Sequence, residues 1–199
     1  MRVIAGEDGG RRLVAPPGRA TRPTSDRVRE AVFSMLESSM LESSVLEGPM
    51  TGTAATLEGA TVWDLFAGSG AMGIEALSRG AAHATFVDQA RSAVSAVRAN
   101  LAALAYGPQR SAVVCADVLD WITPEQARVD LVIADPPYAW QGWDLLLARL
   151  ARLARLAHRR TLVLAETGAE LALPPGWQSL RAKRYGGTVV TLARFSEDP

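Results

Sequence analysis

Thr61-Val62-Trp63-Asp64-Leu65-Phe66-Ala67-Gly68-Ser69-Gly70-Ala71-Met72-Gly73-Ile74-Glu75-Ala76-Leu77-Ser78 is the stretch that decides the fold. An apolar run ends in a loop of small residues and passes directly into a helical pattern, which predicts strand, tight turn and helix. Gly68, Gly70 and Gly73 fit the G-x-G-x-x-G spacing. The first two glycines let the backbone approach a ligand, and the third lets helix and strand pack closely. Asp88 closes the next apolar run, 20 residues after Gly68. A carboxylate there can accept hydrogen bonds from both hydroxyls of a ribose. Together these features predict an adenosine-type ligand at the carboxyl end of a sheet.

Outward from this stretch the chain alternates regularly. Strands are predicted over 61–66, 83–88, 111–115, 129–134 and 160–165. Helices are predicted over 71–79, 91–105, 118–122 and 143–157. Apolar strands alternating with helices indicate an α/β protein with a parallel sheet covered on both faces. The runs 177–184 and 188–195 leave no room for a helix between them, so a closing hairpin is predicted about Tyr185-Gly186-Gly187.

The composition suits an ordinary soluble domain: 199 residues, 48% hydrophobic, 21% charged, formal net charge zero. No apolar run approaches the ~18 residues that span a membrane, and the start of the chain lacks the apolar core of a signal peptide. A cytoplasmic protein is expected. The single cysteine, Cys115, has no disulfide or metal partner and lies in an apolar run, so a buried structural thiol is expected. No metal site is expected; neither His83 nor His158 falls in a motif.

Ahead of the core, Arg2-Val3-Ile4 and Arg12-Leu13-Val14 are predicted to pair as a hairpin through Gly9-Gly10. A helix is predicted from Thr24-Ser25-Asp26 onward, with Val28, Ala31, Val32, Met35 and Leu36 forming one apolar stripe and Arg27, Arg29 and Glu30 lying off it. It can run to about Glu47, where Gly48-Pro49 should stop it; residues 48–59 are read as a mobile connection. The organisation expected is a hairpin-and-helix extension over 1–37, a flexible connection over 38–60 and a ligand-binding domain over 61–199. Up to Glu30 there are seven arginines and four acids, a local net of +3 (7 − 4). Such an arm is either solvated or contacts phosphate.

Asp64 narrows the ligand. Four residues before Gly68, a carboxylate would repel a pyrophosphate but can pair with an ammonium group, which favours S-adenosylmethionine over a dinucleotide. Phe66, Ala67, Gly68, Ser69 and Gly70 would line that site. Asp117, just past the third strand, suits an adenine amino group or serves as a helix N-cap. Asp135-Pro136-Pro137-Tyr138 ends the fourth strand. Its two prolines stiffen the loop. The Asp135 carboxylate and the Pro136 carbonyl can accept both hydrogens of an exocyclic amine, turning its lone pair towards a methyl donor. Tyr138 offers a flat face to the base. This pattern serves guanine N2 and adenine N6 alike.

These residues give the chain a resemblance to the bacterial 16S ribosomal RNA guanine-N2 methyltransferase family, the RsmD type of class I methyltransferases. The strings that carry it are Arg2-Val3-Ile4-Ala5-Gly6, Gly10-Arg11-Arg12-Leu13, Arg22-Pro23-Thr24-Ser25-Asp26-Arg27-Val28-Arg29-Glu30, Asp64 to Gly70, Glu75-Ala76-Leu77-Ser78-Arg79-Gly80, Asp135 to Tyr138 and Tyr185-Gly186-Gly187-Thr188. The resemblance implies a Rossmann-like, seven-stranded sheet with an antiparallel last strand. It implies S-adenosyl-L-methionine as cofactor and one guanine of 16S rRNA as substrate, met in a 30S particle or assembly intermediate; a monomer is expected. Arg2, Arg11, Arg12, Arg22, Arg27 and Arg29 are then expected to contact RNA. An adenine-N6 methyltransferase on DNA or RNA is the alternative. The arginines of helix 143–157 are read as a solvated face.

Overall fold

The computed structural model describes residues 1–17, 26–47, 56–123, 129–157 and 161–195, without the side chains of 41–47 and 155–157. Its centre is a seven-stranded sheet in the order β3-β2-β1-β4-β5-β7-β6. The strands are β1 (Thr61–Leu65), β2 (His83–Asp88), β3 (Ser111–Cys115), β4 (Leu131–Ala134), β5 (Leu162–Thr167), β6 (Trp177–Tyr185) and β7 (Thr188–Phe195). The first five are parallel; β7 runs antiparallel to β5 and to β6. The helices are α1 (Asp26–Glu47), α2 (Ala71–Ser78), α3 (Arg91–Ala103), α4 (Val118–Trp121) and α5 (Trp143–Ala157).

Alternation along the strands divides the core into two layers. Val62, Ile133, Leu164 and Leu192 face α1, α2 and α3, while Trp63, Val132, Val163 and Ala193 face α4 and α5. Strands buried on both faces must be apolar on both, and β4 is Leu131-Val132-Ile133-Ala134, buried throughout. Strand order reverses between β1 and β4, where Leu65 lies opposite Ala134. In open α/β sheets the ligand crevice lies outside the strand ends at such a switch point.

The N-terminal segment is docked on the core. Arg2 bridges Arg12 as predicted, and the hairpin closes through Val3 N–H to Arg11 O (2.9 Å) and Leu13 N–H to Met1 O (3.1 Å). It rests on α2: both oxygens of Glu75, which is fully buried, accept backbone N–H groups, from Ile4 (2.7 Å) and Ala5 (3.0 Å). Ser78 Oγ accepts the N–H of Asp8 and donates to the Ala5 carbonyl. α1 covers the same side through Val32, Phe33 and Leu36.

Three expectations change here. Cys115 is exposed, at the end of β3, which is an edge strand and is nowhere fully buried. Arg29 lies off the apolar stripe by spacing yet is 1% exposed, because the docked hairpin roofs that face of α1. Within the connection predicted to be mobile, residues 48–55 lie outside the described residues, but 56–59 are anchored: Leu57 is buried and Gly59 N–H donates to Gly80 O (3.0 Å). Arg22, Thr24 and Ser25 lie outside the described residues.

Candidate active site

The glycine loop is shaped by its own backbone. Phe66 leaves β1 with φ 60° and Gly70 opens α2 with φ 76°, a region that L side chains rarely adopt. Gly70 N–H returns to Ala67 O (2.7 Å) and Ala67 N–H to Val87 O (3.1 Å), tying the loop to β2. Gly73 has the packing role predicted for it: an added Cβ would stand 2.4 Å from Phe86 Cε1 and 3.0 Å from Asp64 Cβ.

Asp88 fastens both sides of the crevice. Its Oδ2 accepts Gly68 N–H (2.9 Å) and its Oδ1 accepts Ala90 N–H (2.8 Å). Each carboxylate oxygen has two acceptor sites, so a ribose can still be held, against a loop that is already fixed. Asp117 is the N-cap of α4: its Oδ1 accepts from Leu119 (2.8 Å) and Asp120 (3.3 Å). It remains exposed.

Asp64 sits deeper than its spacing suggests. It is 3% exposed, and its Oδ2 accepts Gly73 N–H at 2.8 Å. Burial pushes its carboxyl up to about 8; the Gly73 N–H pulls it down, and the negative charges of Asp135 and Asp88 push it further up. The protonated form of the group is therefore favoured at neutral pH. These residues fit a methyl donor: a glycine loop that a ligand can approach, a carboxylate at the ribose position and a buried acid whose ionised form a positive charge would favour.

Asp135-Pro136-Pro137-Tyr138 stands beside this loop, one strand over. Pro136 is buried, and Pro137 closes the turn by accepting Trp140 N–H at 2.8 Å. Tyr138 is 53% exposed. Its hydroxyl meets Thr188 Oγ1 at 2.6 Å, and its ring passes over Gly168, where an added Cβ would lie 3.5 Å away. The motif on β4 is thus braced by the closing hairpin, two strands distant. Asp135 also stands under α1 close to Glu166, Val32, Met72 and Ile133.

Sequence reasoning missed Glu75, Thr188, Glu166 and an aromatic wall. Trp140 meets Phe66 edge-on at 4.9 Å and Trp143 at 5.5 Å, joining the two motif loops. The strings containing Glu75 and Thr188 were visible; their partners, dozens of residues away, were not. Of the arginines expected at RNA, Arg2, Arg11, Arg12 and Arg27 are exposed, although Arg11 also donates to Ala103 O (2.6 Å) and Arg2 pairs with Asp26 (3.4 Å). Arg29 is withdrawn from that set. Its guanidinium is buried against the Arg2 carbonyl, Asp26 (3.0 Å) and Glu75 (3.9 Å), where it ties α1 to the hairpin. Among the described residues no group of acidic, histidine and cysteine side chains could hold a metal.

Sheet order, glycine loop and acidic strand ends define an S-adenosylmethionine-dependent methyltransferase with a Rossmann-like fold. The magnesium protoporphyrin IX methyltransferase of Synechocystis, solved with bound S-adenosylmethionine, shares that fold at a TM-score of 0.54 and 18% identity, over 90% of this chain and 87% of its own. The chain belongs to the RsmD family, for the family model described as conserved hypothetical protein 95 matches residues 1–194. Ribosomal RNA small subunit methyltransferase D of Escherichia coli K12 is 32% identical over 191 residues, 95% of this chain and 86% of the relative. The Haemophilus influenzae protein of that name is 30% identical over 190 residues, covering 94% and 89%. The solved Escherichia coli protein yhhF superposes with a TM-score of 0.75 at 30% identity, over 98% of each chain. Among the described residues no helix is long and apolar enough to cross a membrane.

Proposed function

We propose that the protein methylates the exocyclic N2 amine of one guanine in 16S ribosomal RNA, as a monomer acting in the cytoplasm on a 30S particle or assembly intermediate. The observation that carries this reading is the pairing of β1 with β4: it sets the glycine loop and Asp135-Pro136-Pro137-Tyr138 on adjacent strand ends. The relatives named for small-subunit rRNA supply the substrate class.

The bound donor supplies a methyl group activated by its sulfonium. The chain's own residues do the rest. Asp88 and the Gly68–Gly70 loop hold the nucleoside half, Asp117 stands at the adenine end, and Asp64 answers the ammonium. Phe66, Ala67 and Ser69 line the donor site with them. Tyr138 receives the flipped base on its exposed face. Asp135 and the Pro136 carbonyl accept the two amine hydrogens, drawing the nitrogen out of conjugation and aiming its lone pair. In transfer from a bound donor the carbon–nitrogen bond would form as the carbon–sulfur bond broke, and the surplus amine proton would pass to the Asp135 carboxylate and on to solvent. Catalysis here is orientation and electrostatics. Arg2, Arg11, Arg12, Arg22 and Arg27 are the arm's phosphate contacts.

The test is methylation with labelled donor of 30S particles from a strain lacking the enzyme, beside naked 16S RNA, followed by nucleoside analysis. N2-methylguanosine formed by the wild type and lost in Asp135→Ala is the expected result. N6-methyladenosine would transfer the assignment to the adenine amine. No label in either RNA would refute the reading.

A further inference from the structure

The closing hairpin carries a charge pattern that the reaction above leaves unused. From Leu171 to Phe195 there are four cations (Arg181, Lys183, Arg184 and Arg194) and no acid, in a chain whose overall charge is zero. Lys183 is the chain's one lysine. β6 is the outer strand of the sheet, and Arg181, Lys183 and Arg184 are exposed on it.

Register brings this charge to the target-base loop. β7 begins where β5 ends (Val189 opposite Thr167), so the turn at Gly186-Gly187 lies on the same edge as the motif loops. Tyr185 pairs with Thr188 and Lys183 with Val190, and opposed residues share a face. Lys183 Nζ stands 5.4 Å from the Tyr185 ring centroid, Tyr185 faces Thr188, and Thr188 holds the Tyr138 hydroxyl. From Thr188 to Val190 is about 7 Å along the strand. Lys183 therefore lies on the face of Thr188 and Tyr138, within reach of the phosphates flanking a base seated there, while Arg184, opposite Val189, extends from the other face of the same exposed edge strand. At Gly186 and Gly187 an added Cβ would meet nothing within 4 Å, so a strand can pass over the tip.

We infer that the β6–β7 hairpin is a second RNA-binding surface, along whose open edge the single-stranded segment flanking the target nucleotide lies, with Lys183 neutralising phosphates on the Tyr138 side and Arg184 those that pass round the edge of the strand. This rests on the proposed function for the identity of the base but not for the binding of RNA. An alternating cation and aromatic on an exposed edge strand suits single-stranded nucleic acid, whose backbone takes the charge while rings accept bases.

The test compares wild type, Lys183→Ala/Arg184→Ala and Lys183→Glu/Arg184→Glu for RNA binding by anisotropy across a salt series, and for methyl transfer. Arg152→Glu, on the exposed side of α5, is the charge control. The alanine pair is expected to raise the RNA Kd and KM about tenfold. Its log Kd against log salt slope should fall by about 1.4, the value for two contacts to a single strand. Donor affinity, melting temperature and kcat at saturating RNA should stay within twofold or within experimental error of wild type, and the glutamate pair should bind more weakly still. Unchanged Kd and slope in an active enzyme would overturn the hairpin surface and leave the methyltransferase reading standing. Equal losses in Arg152→Glu would overturn it as bulk charge. Loss on particles but not on naked RNA would overturn it in favour of a protein contact. RNA binding lost in the variants, from a wild type that transfers no methyl, would support the surface and refute the reaction.

Discussion

Replacing Glu75 by Gln should loosen the N-terminal hairpin from the core without touching the methyl-donor crevice. Glu75 is fully buried, and its two oxygens are both committed: Oε2 to Ile4 N–H at 2.7 Å, Oε1 to Ala5 N–H at 3.0 Å and Arg79 Nε at 2.8 Å. A glutamine offers one oxygen and one NH2. Turned its better way, it keeps Ala5 and Arg79 and sets its NH2 against the Ile4 N–H, leaving a buried donor unpaired at about 1–3 kcal/mol. It also removes the charge that faces the buried Arg29 at 3.9 Å. Asp26 still holds Arg29 at 3.0 Å, so that second loss is a fraction of the roughly 3–5 kcal/mol of a fully broken buried pair. The total comes to about 3 kcal/mol, which for a domain of this size lowers Tm by about 6–12 °C. Calorimetry would measure the Tm, and hydrogen exchange at Ile4 and Ala5 would report whether the hairpin has detached. Exposed Glu30→Gln on α1 should change Tm by no more than about 1–2 °C, a surface effect. If Glu75→Gln melts with Glu30→Gln and the two amides stay protected, the hub argument is wrong.

Asp64, with its carboxyl at about 8 against the ordinary 3.8, holds a proton in the fold that the unfolded chain releases above its own pKa. Stability should fall as pH rises from about 4 to about 8 and then level off, and Asp64→Asn should flatten that slope in urea titrations. If the donor's ammonium draws out that proton, donor affinity should rise up to tenfold per pH unit below about 8, and isothermal titration in buffers of different ionisation heat should detect the release. Gly73→Ala places a Cβ 2.4 Å from Phe86 Cε1; overpacking of about 1–3 kcal/mol with weakened donor binding is expected in melts with and without donor. Thr188→Val removes the hydroxyl that meets Tyr138 at 2.6 Å. Kinetics should show raised RNA KM, restoration by Thr188→Ser, and no further loss when Tyr138→Phe is added, since both changes delete the same bond.

The alternation of apolar runs and helical patterns made the sheet legible, and strand β7 was placed to the residue. Boundaries moved where tertiary pairing set them: β5 was expected at 160–165 and lies at Leu162–Thr167, extended by its ladder with β7 as far as Val189. The crevice was legible because its parts are local: a strand end, a loop and the next strand's last acid. What spacing could not show was depth. Asp64 and Asp117 look alike as acids near strand ends, yet one is sealed beneath α2 and the other caps α4 in solvent. Arg29 looked like its neighbour Arg27 until the hairpin covered it with the carbonyl of Arg2, 27 residues earlier. The string Glu75-Ala76-Leu77-Ser78 and the string Arg2 to Gly6 belong together because one is the dock of the other, a relation carried by contacts and not by any local pattern.

β6 has one further consequence. It is nine residues long and ends the sheet, so one side of it offers backbone donors and acceptors to any passing strand. Edge strands of that kind template association between molecules unless charge discourages it. Arg181, Lys183 and Arg184 repel a second copy of the same edge. A variant stripped of all three would lose more than ligand affinity: it should self-associate on concentration, above all at high salt, where the remaining repulsion between whole molecules is screened. Colloidal stability and recognition therefore share two side chains, Lys183 and Arg184, and selection on either property constrains the other.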